Sequence, residues 1–234
     1  MNKYLIITGG SKGIGFATIK KFLENNWKVI NISRTKCNLE SVFNIELDLL
    51  QPNWEEILSQ IIKEQITEKA IISLVHNSAM LEKDNVLNVD SESFRKVLEL
   101  NVIVPTRLNK VFFEYFKENS SIIYIGSTLS EKAVQNTLSY VTSKHALIGL
   151  MRATCQDLVG KDIHTACVCP GFTDTEMLRE HIGNNPEIIK SIESIICAGR
   201  LLKPSEIADV IYFCANNPSL NGSVLHANLG NIER

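Results

Sequence analysis

A chain of 234 residues, 44% of them hydrophobic, can bury a full-sized core, and nothing in it resembles a linker, repeat or low-complexity tract, so one domain over 1–234 is expected. The formal net charge of −2 excludes a global attraction to nucleic acid or to an anionic membrane. No apolar run reaches the roughly 18–20 residues that cross a bilayer, so no membrane partner is expected.

The opening "MNKYLIITGG" has an apolar run that stops early at glycines, which predicts a first strand over 4–8 and not a signal peptide. Further strands are predicted at "KVINIS" (28–33), "FNIEL" (43–47), "IISLV" (71–75), "SIIYIG" (121–126), "IHTACVC" (163–169) and "SVLHAN" (223–228). Helical patterns lie between them near 14–26, 53–66, 91–117, 139–159 and 204–216, several opened by Ser, Asp or Pro. Runs such as "IISLV" do not alternate polar and apolar, as expected of a strand covered on both faces. Strand and helix alternating end to end predict an α/β fold, a parallel sheet wrapped by helices on both sides.

"TGGSKGIG" (8–15) joins the first strand to the first helix. Glycines at 9, 13 and 15 let the chain turn sharply and let backbone amides approach a pyrophosphate at the helix N-terminus. A plain tight turn would use glycines too; the place between strand and helix at the start of an alternating chain favours the phosphate. No Gly-Lys-Ser/Thr closes it, so it is not a Walker loop.

The second strand ends in "NISRT", with Ser33 and Arg34 where an NAD site usually has an acid. A carboxylate would repel a 2′-phosphate, whereas a guanidinium clamps it, and Lys12 adds a second positive charge. NADP(H) is therefore expected over NAD(H), although Arg34 is also readable as a solvated loop residue.

Six cysteines stand at 37, 155, 167, 169, 197 and 214. "CVC" at 167 and 169 puts two thiols on one face of a strand, and no CxxC-like pair with histidine partners suggests zinc. Reduced, mostly buried thiols, a cytoplasmic location and no metal are expected.

"TGGSKGIG", "HNSA" (76–79), Asn101, Ser127, "YVTSK" (140–144) and "PGFTDT" (170–175), in this order and at this spacing, resemble the short-chain dehydrogenase/reductase family. The tail from "AGRLLKPSEIADV" onward looks like that of 3-oxoacyl-carrier-protein reductases. The resemblance spans nearly the whole chain. It implies a doubly wound Rossmann fold with a seven-stranded parallel sheet, a nicotinamide cofactor and a catalytic set of Ser127, Tyr140, Lys144 and Asn101.

Tyr140 and Lys144 lie one helical turn apart on one face. A nearby ammonium favours the phenolate, which is expected to bring the phenol down from its ordinary value near 10 toward useful acid–base range. The resemblance implies that Tyr140 hands a proton to a carbonyl oxygen, that Lys144 also holds the ribose hydroxyls, and that Ser127 steadies the substrate oxygen. Asn101 lies four residues before Pro105, which has no N–H for the Asn101 carbonyl and pushes that carbonyl aside. A kink at this point is expected, with the carbonyl turned outward to hold a water in a proton relay.

By the same resemblance the cofactor meets Thr8, Gly9, Ser11, Lys12, Gly13, Ile14 and Gly15 in the first turn. It also meets Ser33, Arg34, Asp48 (at the adenine), Asn77, Ser78, Tyr140, Lys144, Pro170, Gly171, Thr173 and Thr175. "HNSA" departs from the family's Asn-Asn-Ala-Gly: Asn77 is kept, Ala79 adds a methyl beside the cofactor, and His76 is given no catalytic role. "ANLG" likewise replaces a frequent Asp-Gly-Gly near the end.

The segment 174–202 is expected to form a lid, with Met177, Leu178, Ile182, Ile188, Ile189, Ile192, Ile195 and Ile196 at roughly helical spacing. An amphipathic helix pair packed on the body gives the same pattern. The resemblance implies a homodimer or homotetramer through the fourth and fifth helices, compatible with "VIVPTRLNKVFFEYF" but equally explained by core packing. Three readings follow: an NADP(H)-dependent reductase of a small-molecule carbonyl, a 3-oxoacyl-thioester reductase, and a non-catalytic NADP(H)-binding sensor or scaffold.

Overall fold

The computed structural model describes residues 2–183 and 185–231. Seven strands form one sheet in the order β3-β2-β1-β4-β5-β6-β7. They are β1 (Lys3–Thr8), β2 (Lys28–Ser33), β3 (Val42–Glu46), β4 (Ile71–His76), β5 (Ser120–Ile125), β6 (Ile163–Pro170) and β7 (Ser223–Ala227). Every neighbouring pair is parallel. All six residues of β5 and all eight of β6 are buried, so neither strand alternates covered and exposed positions.

The described residues also form eight α-helices: α1 (Gly13–Glu24), α2 (Trp54–Gln65), α3 (Ser91–Leu98), α4 (Val104–Phe112), α5 (Leu138–Asp157), α6 (Glu176–Ile182), α7 (Pro186–Ser194) and α8 (Pro204–Ala215). The period-2 alternation of each strand sends its apolar residues to two cores. Ile6, Ile72, Leu74, Ile122 and Tyr124 pack beneath α2, α4 and α5 with Leu58, Leu108 and Phe112. Leu5, Ile7, Ile123 and Ile125 pack on the other face with Ile19 and Phe22 of α1 and Ile207 and Ile211 of α8. Burying a side chain such as Phe22 is worth about 1.5–3 kcal/mol.

The strand order reverses between β1 and β4, so loops leave the C-terminal edge in opposite directions there and open a crevice. The first helix ends two residues before its expected limit, because Asn26 adopts a left-handed conformation with φ +61°.

The helical stretch expected over 91–117 breaks around Asn101, where a kink before Pro105 is expected. It divides into α3, a single wide turn over Glu99–Ile103 in which the Val104 amide reaches back to the Glu99 carbonyl, α4, and a tight 3₁₀ turn over Phe113–Tyr115. Pro105 falls in the first turn of α4, where a missing N–H costs nothing. The departure from α geometry thus occurs where the Asn101 carbonyl loses its ordinary donor.

Candidate active site

The C-terminal ends of β1, β4, β5 and β6 deliver the candidate residues to the crevice. Thr8 closes β1, and its hydroxyl accepts from the amides of Asn77 (3.0 Å) and Ser78 (2.9 Å). The Asn77 side chain returns both bonds, donating to the carbonyls of Thr8 and Gly9 at 3.0 Å each. "TGG" and "HNSA" are thereby locked together across the strand-order reversal. Gly9 has φ +68°, and a Cβ there would lie 2.8 Å from Ser78 Oγ, so only glycine serves.

Helix α1 begins at Gly13 with no side-chain cap and no acidic residue in its first turn, and Lys12 is its N-cap residue. Uncapped amides, a positive dipole end and an adjacent ammonium suit an anion, so the turn that carries Ser11 and Ile14 fits a pyrophosphate. A cavity of about 380 Å³ opens beside it, lined by Gly13 and Phe16 of α1 and by Thr175, Glu176 and Arg179 at the start of α6.

Ser33 is buried at the end of β2 and Arg34 is exposed just after it. The Asp48 carboxylate accepts from the Leu50 amide at 2.9 Å, so one of its oxygens shapes its own turn. Gly171, after Pro170, pairs with the Ala227 carbonyl at 2.9 Å, and Thr173 Oγ1 donates to the Gly171 carbonyl at 3.0 Å. Thr175 caps α6, accepting from the Leu178 amide at 3.3 Å. Residues 174–202 carry α6 and α7 as the apolar spacing suggests, with Ile192 and Ile196 buried but Met177 and Ile188 exposed.

Ser127, Tyr140 and Lys144 converge. Helix α5 carries the last two on its buried face, with Lys144 Nζ 5.5 Å from the centre of the Tyr140 ring. Ser127 follows β5, caps the short turn Thr128–Ser130 by accepting from the Leu129 amide at 3.1 Å, and hydrogen-bonds the Tyr140 phenol. Lys144 Nζ donates to the Ile125 carbonyl at 2.7 Å.

The expected acidification of the phenol is not what this geometry produces. Burial pushes Tyr140 up to about 12; the Ser127 hydrogen bond lowers it only in part. Burial also brings Lys144 down to about 8. Desolvation is the largest influence on both groups.

Asn101 lies in the wide turn and is buried. Its side-chain oxygen accepts from the Met80 amide at 2.8 Å, and its amide donates to the Met80 carbonyl and to Ser143 Oγ, both at 2.9 Å. Ser143 and the Met80 backbone were not singled out from the sequence. A buried serine beside a lysine carries no pattern of its own, and a backbone contact leaves no mark on residue type.

His76 sits in the core, with Nε2 2.8 Å from Asn109 Oδ1, and burial lowers it to about 4. The thiols of Cys167 and Cys169 do share one face of β6, 3.8 Å apart, and all six cysteines are free. Among the described residues no three His, Cys, Asp or Glu side chains gather as a metal-ligand set. No described helix is long and apolar enough to cross a membrane.

A doubly wound sheet with a glycine turn and an uncapped helix start at its reversal point, and a Ser–Tyr–Lys cluster after β5, describes a nucleotide-dependent oxidoreductase of the short-chain type. Residues 9–231 match the family model described as enoyl-(acyl carrier protein) reductase. The chain belongs to the short-chain dehydrogenase/reductase family and is similar to its 3-oxoacyl-carrier-protein reductases. A 3α-hydroxysteroid dehydrogenase of Mediterraneibacter gnavus is 28% identical, covering 92% of this chain and 90% of its own. A 3-oxoacyl-[acyl-carrier-protein] reductase of Chlamydia muridarum is also 28% identical, over 98% and 97%. Among solved structures, a short chain dehydrogenase family protein from Francisella tularensis is 30% identical with a TM-score of 0.88, covering 99% of this chain and 98% of the other. ElxO with NADP bound is 26% identical with a TM-score of 0.86, covering 99% of both chains.

Proposed function

We propose that the protein reduces a ketone or aldehyde to an alcohol with NADP(H). The observation that carries this reading is the convergence of Ser127, Tyr140 and Lys144 in a fold whose first helix starts uncapped after a glycine turn. The dinucleotide, when bound, supplies the hydride. Tyr140 gives its proton to the carbonyl oxygen as that oxygen gains charge. A phenol held protonated through the neutral range suits reduction, because the alkoxide that forms is a much stronger base. Ser127 Oγ donates to the same oxygen and fixes it within reach of the phenol. Lys144, anchored on Ile125, stabilises the phenolate left behind. Asn101 steadies the Lys144 turn through Ser143 and extends the proton supply toward solvent.

Arg34, with Lys12 nearby and no carboxylate ending β2, favours a 2′-phosphate. The similarity to ElxO, solved with NADP, supports the same cofactor. Residues 174–202 act as the lid. The free thiols support a cytoplasmic protein, and exposed Ile103 and Phe113 beside α4 support a homodimer or homotetramer through α4 and α5.

The test is a screen of ketones, aldehydes and diketones that follows NADPH absorbance, with Tyr140→Phe as control. Turnover that survives Tyr140→Phe overturns the role given to Tyr140, whereas NADPH binding with no turnover of any compound favours a non-catalytic binder. A second reading, reduction of 3-oxoacyl thioesters, is favoured by the 28% identity to the Chlamydia reductase over 98% of this chain. Higher kcat/KM on acetoacetyl thioesters than on simple ketones would select it.

A further inference from the structure

The middle of β2 holds a residue that an all-apolar core has no need of. Asn31 is fully buried between Ile7 of β1 and Asn44 of β3. Burying an amide is costly unless every polar atom finds a partner. Here they do: Oδ1 accepts from the Gly10 amide at 2.9 Å, and Nδ2 donates to Ser33 Oγ and to Asn44 Oδ1, both at 2.9 Å.

Each partner leads to the cofactor crevice. Gly10 belongs to the glycine turn. Ser33 Oγ donates to the Thr35 carbonyl at 2.5 Å, and Thr35 Oγ1 donates to Ser11 Oγ at 2.9 Å, back in that turn. The bonds close a ring through Gly10, Asn31, Ser33, Thr35 and Ser11, with Arg34 carried on it between Ser33 and Thr35. Asn44 pins the far side of the same loop, accepting from the Cys37 amide at 2.9 Å and donating to its carbonyl at 3.1 Å.

We propose that Asn31 is a positioning residue for cofactor discrimination: it fixes the Arg34 loop relative to the glycine turn, so that one dinucleotide reaches both. The inference rests on the NADP(H) reading above. A 2′-phosphate and a pyrophosphate belong to one rigid ligand, so a guanidinium gives discrimination only where its distance from the turn is held. Asn31 sets that distance from inside the sheet, where solvent does not compete for its bonds.

The test measures dissociation constants for NADPH and NADH by fluorescence titration in the wild type, Asn31→Val, Thr35→Val and the double variant, with thermal melts alongside. Thr35 is exposed, so Thr35→Val keeps the test alive if Asn31→Val does not fold. The expected result is a preference for NADPH in the wild type that falls on the order of tenfold in Asn31→Val and several-fold in Thr35→Val, with the double variant no worse than Asn31→Val. A purely structural role would weaken both cofactors equally and leave their ratio unchanged, which overturns the proposal. So does a wild-type preference that both single variants keep. A wild type with no preference for NADPH instead overturns the cofactor reading on which the proposal stands.

Discussion

Lys144 Nζ donates to the carbonyl of Ile125 at 2.7 Å, which ties α5 to the end of β5, two residues before Ser127. The bond orients the amine but does not replace the water lost on burial, and Lys144 falls to about 8 from its ordinary 10.5. Carbonyl reduction is therefore expected to decline as pH rises through about 8 and Lys144 loses its charge. A kcat/KM profile without that limb contradicts the assignment. Stability moves the other way. The folded protein holds this proton less well than the unfolded chain, so the charged lysine opposes folding fully below pH 8, and that opposition fades as pH approaches 10.5. Lys144→Met should gain melting temperature relative to wild type at pH 7 and lose the gain by pH 10.

Tyr140→Phe removes the proposed proton donor, a single hydroxyl, leaving the ring in its buried place. It should lower kcat on the order of 10²- to 10⁴-fold while NADPH affinity changes by less than about twofold. Stopped-flow turnover and fluorescence titration of the same sample separate the two effects.

Arg34→Asp puts a carboxylate where a 2′-phosphate would lie. Loss of a charge-assisted bond, with repulsion added, should weaken NADPH about ten- to a hundredfold and NADH little. Equal losses for both cofactors refute the clamp.

His76 is held neutral by burial, at about 4 against 6.5 when exposed. Between these values the unfolded chain binds the proton and the folded one does not. The stability His76 contributes is thus complete above pH 6.5 and is lost as pH falls toward 4. Urea denaturation should show about 2 kcal/mol less stability at pH 5 than at pH 7 from this residue. A His76→Asn variant should lack that share of the slope, and an identical slope in both proteins counts against it.

Gly126 lies against three polarisable atoms. A Cβ there would sit 2.7 Å from Cys169 Sγ, 2.9 Å from Cys167 Sγ and 2.9 Å from Ser130 Oγ. Gly126→Ala should cost about 1–3 kcal/mol and reduce kcat through the adjoining Ser127. Adding Cys169→Ala removes the nearest sulfur and should restore part of both, as read by melting temperature and turnover.

Strand–helix alternation, the glycine turn between the first strand and the first helix, and the one-turn spacing of Tyr140 and Lys144 are local or periodic features legible in the residues alone, while Ser127 joined them through the family resemblance. Backbone sterics and side-chain periodicity act over a few positions, so residue order determines them. The all-parallel sheet and the shared face of Cys167 and Cys169 follow from the same rules. Tertiary structure alone decided the protonation of the site and the form that the kink before Pro105 takes. Whether Tyr140 is acidified depends on how much water two buried groups lose together, and that is a property of the packed interior. The side chain of Asn101 bonds to Met80 and Ser143, which are distant in sequence and meet it only after folding. Asn31 was visible in "KVINIS" as an amide inside an apolar strand, but its partners lie in the first turn, at the end of its own strand and in the next one, and only the assembled sheet brings them into contact.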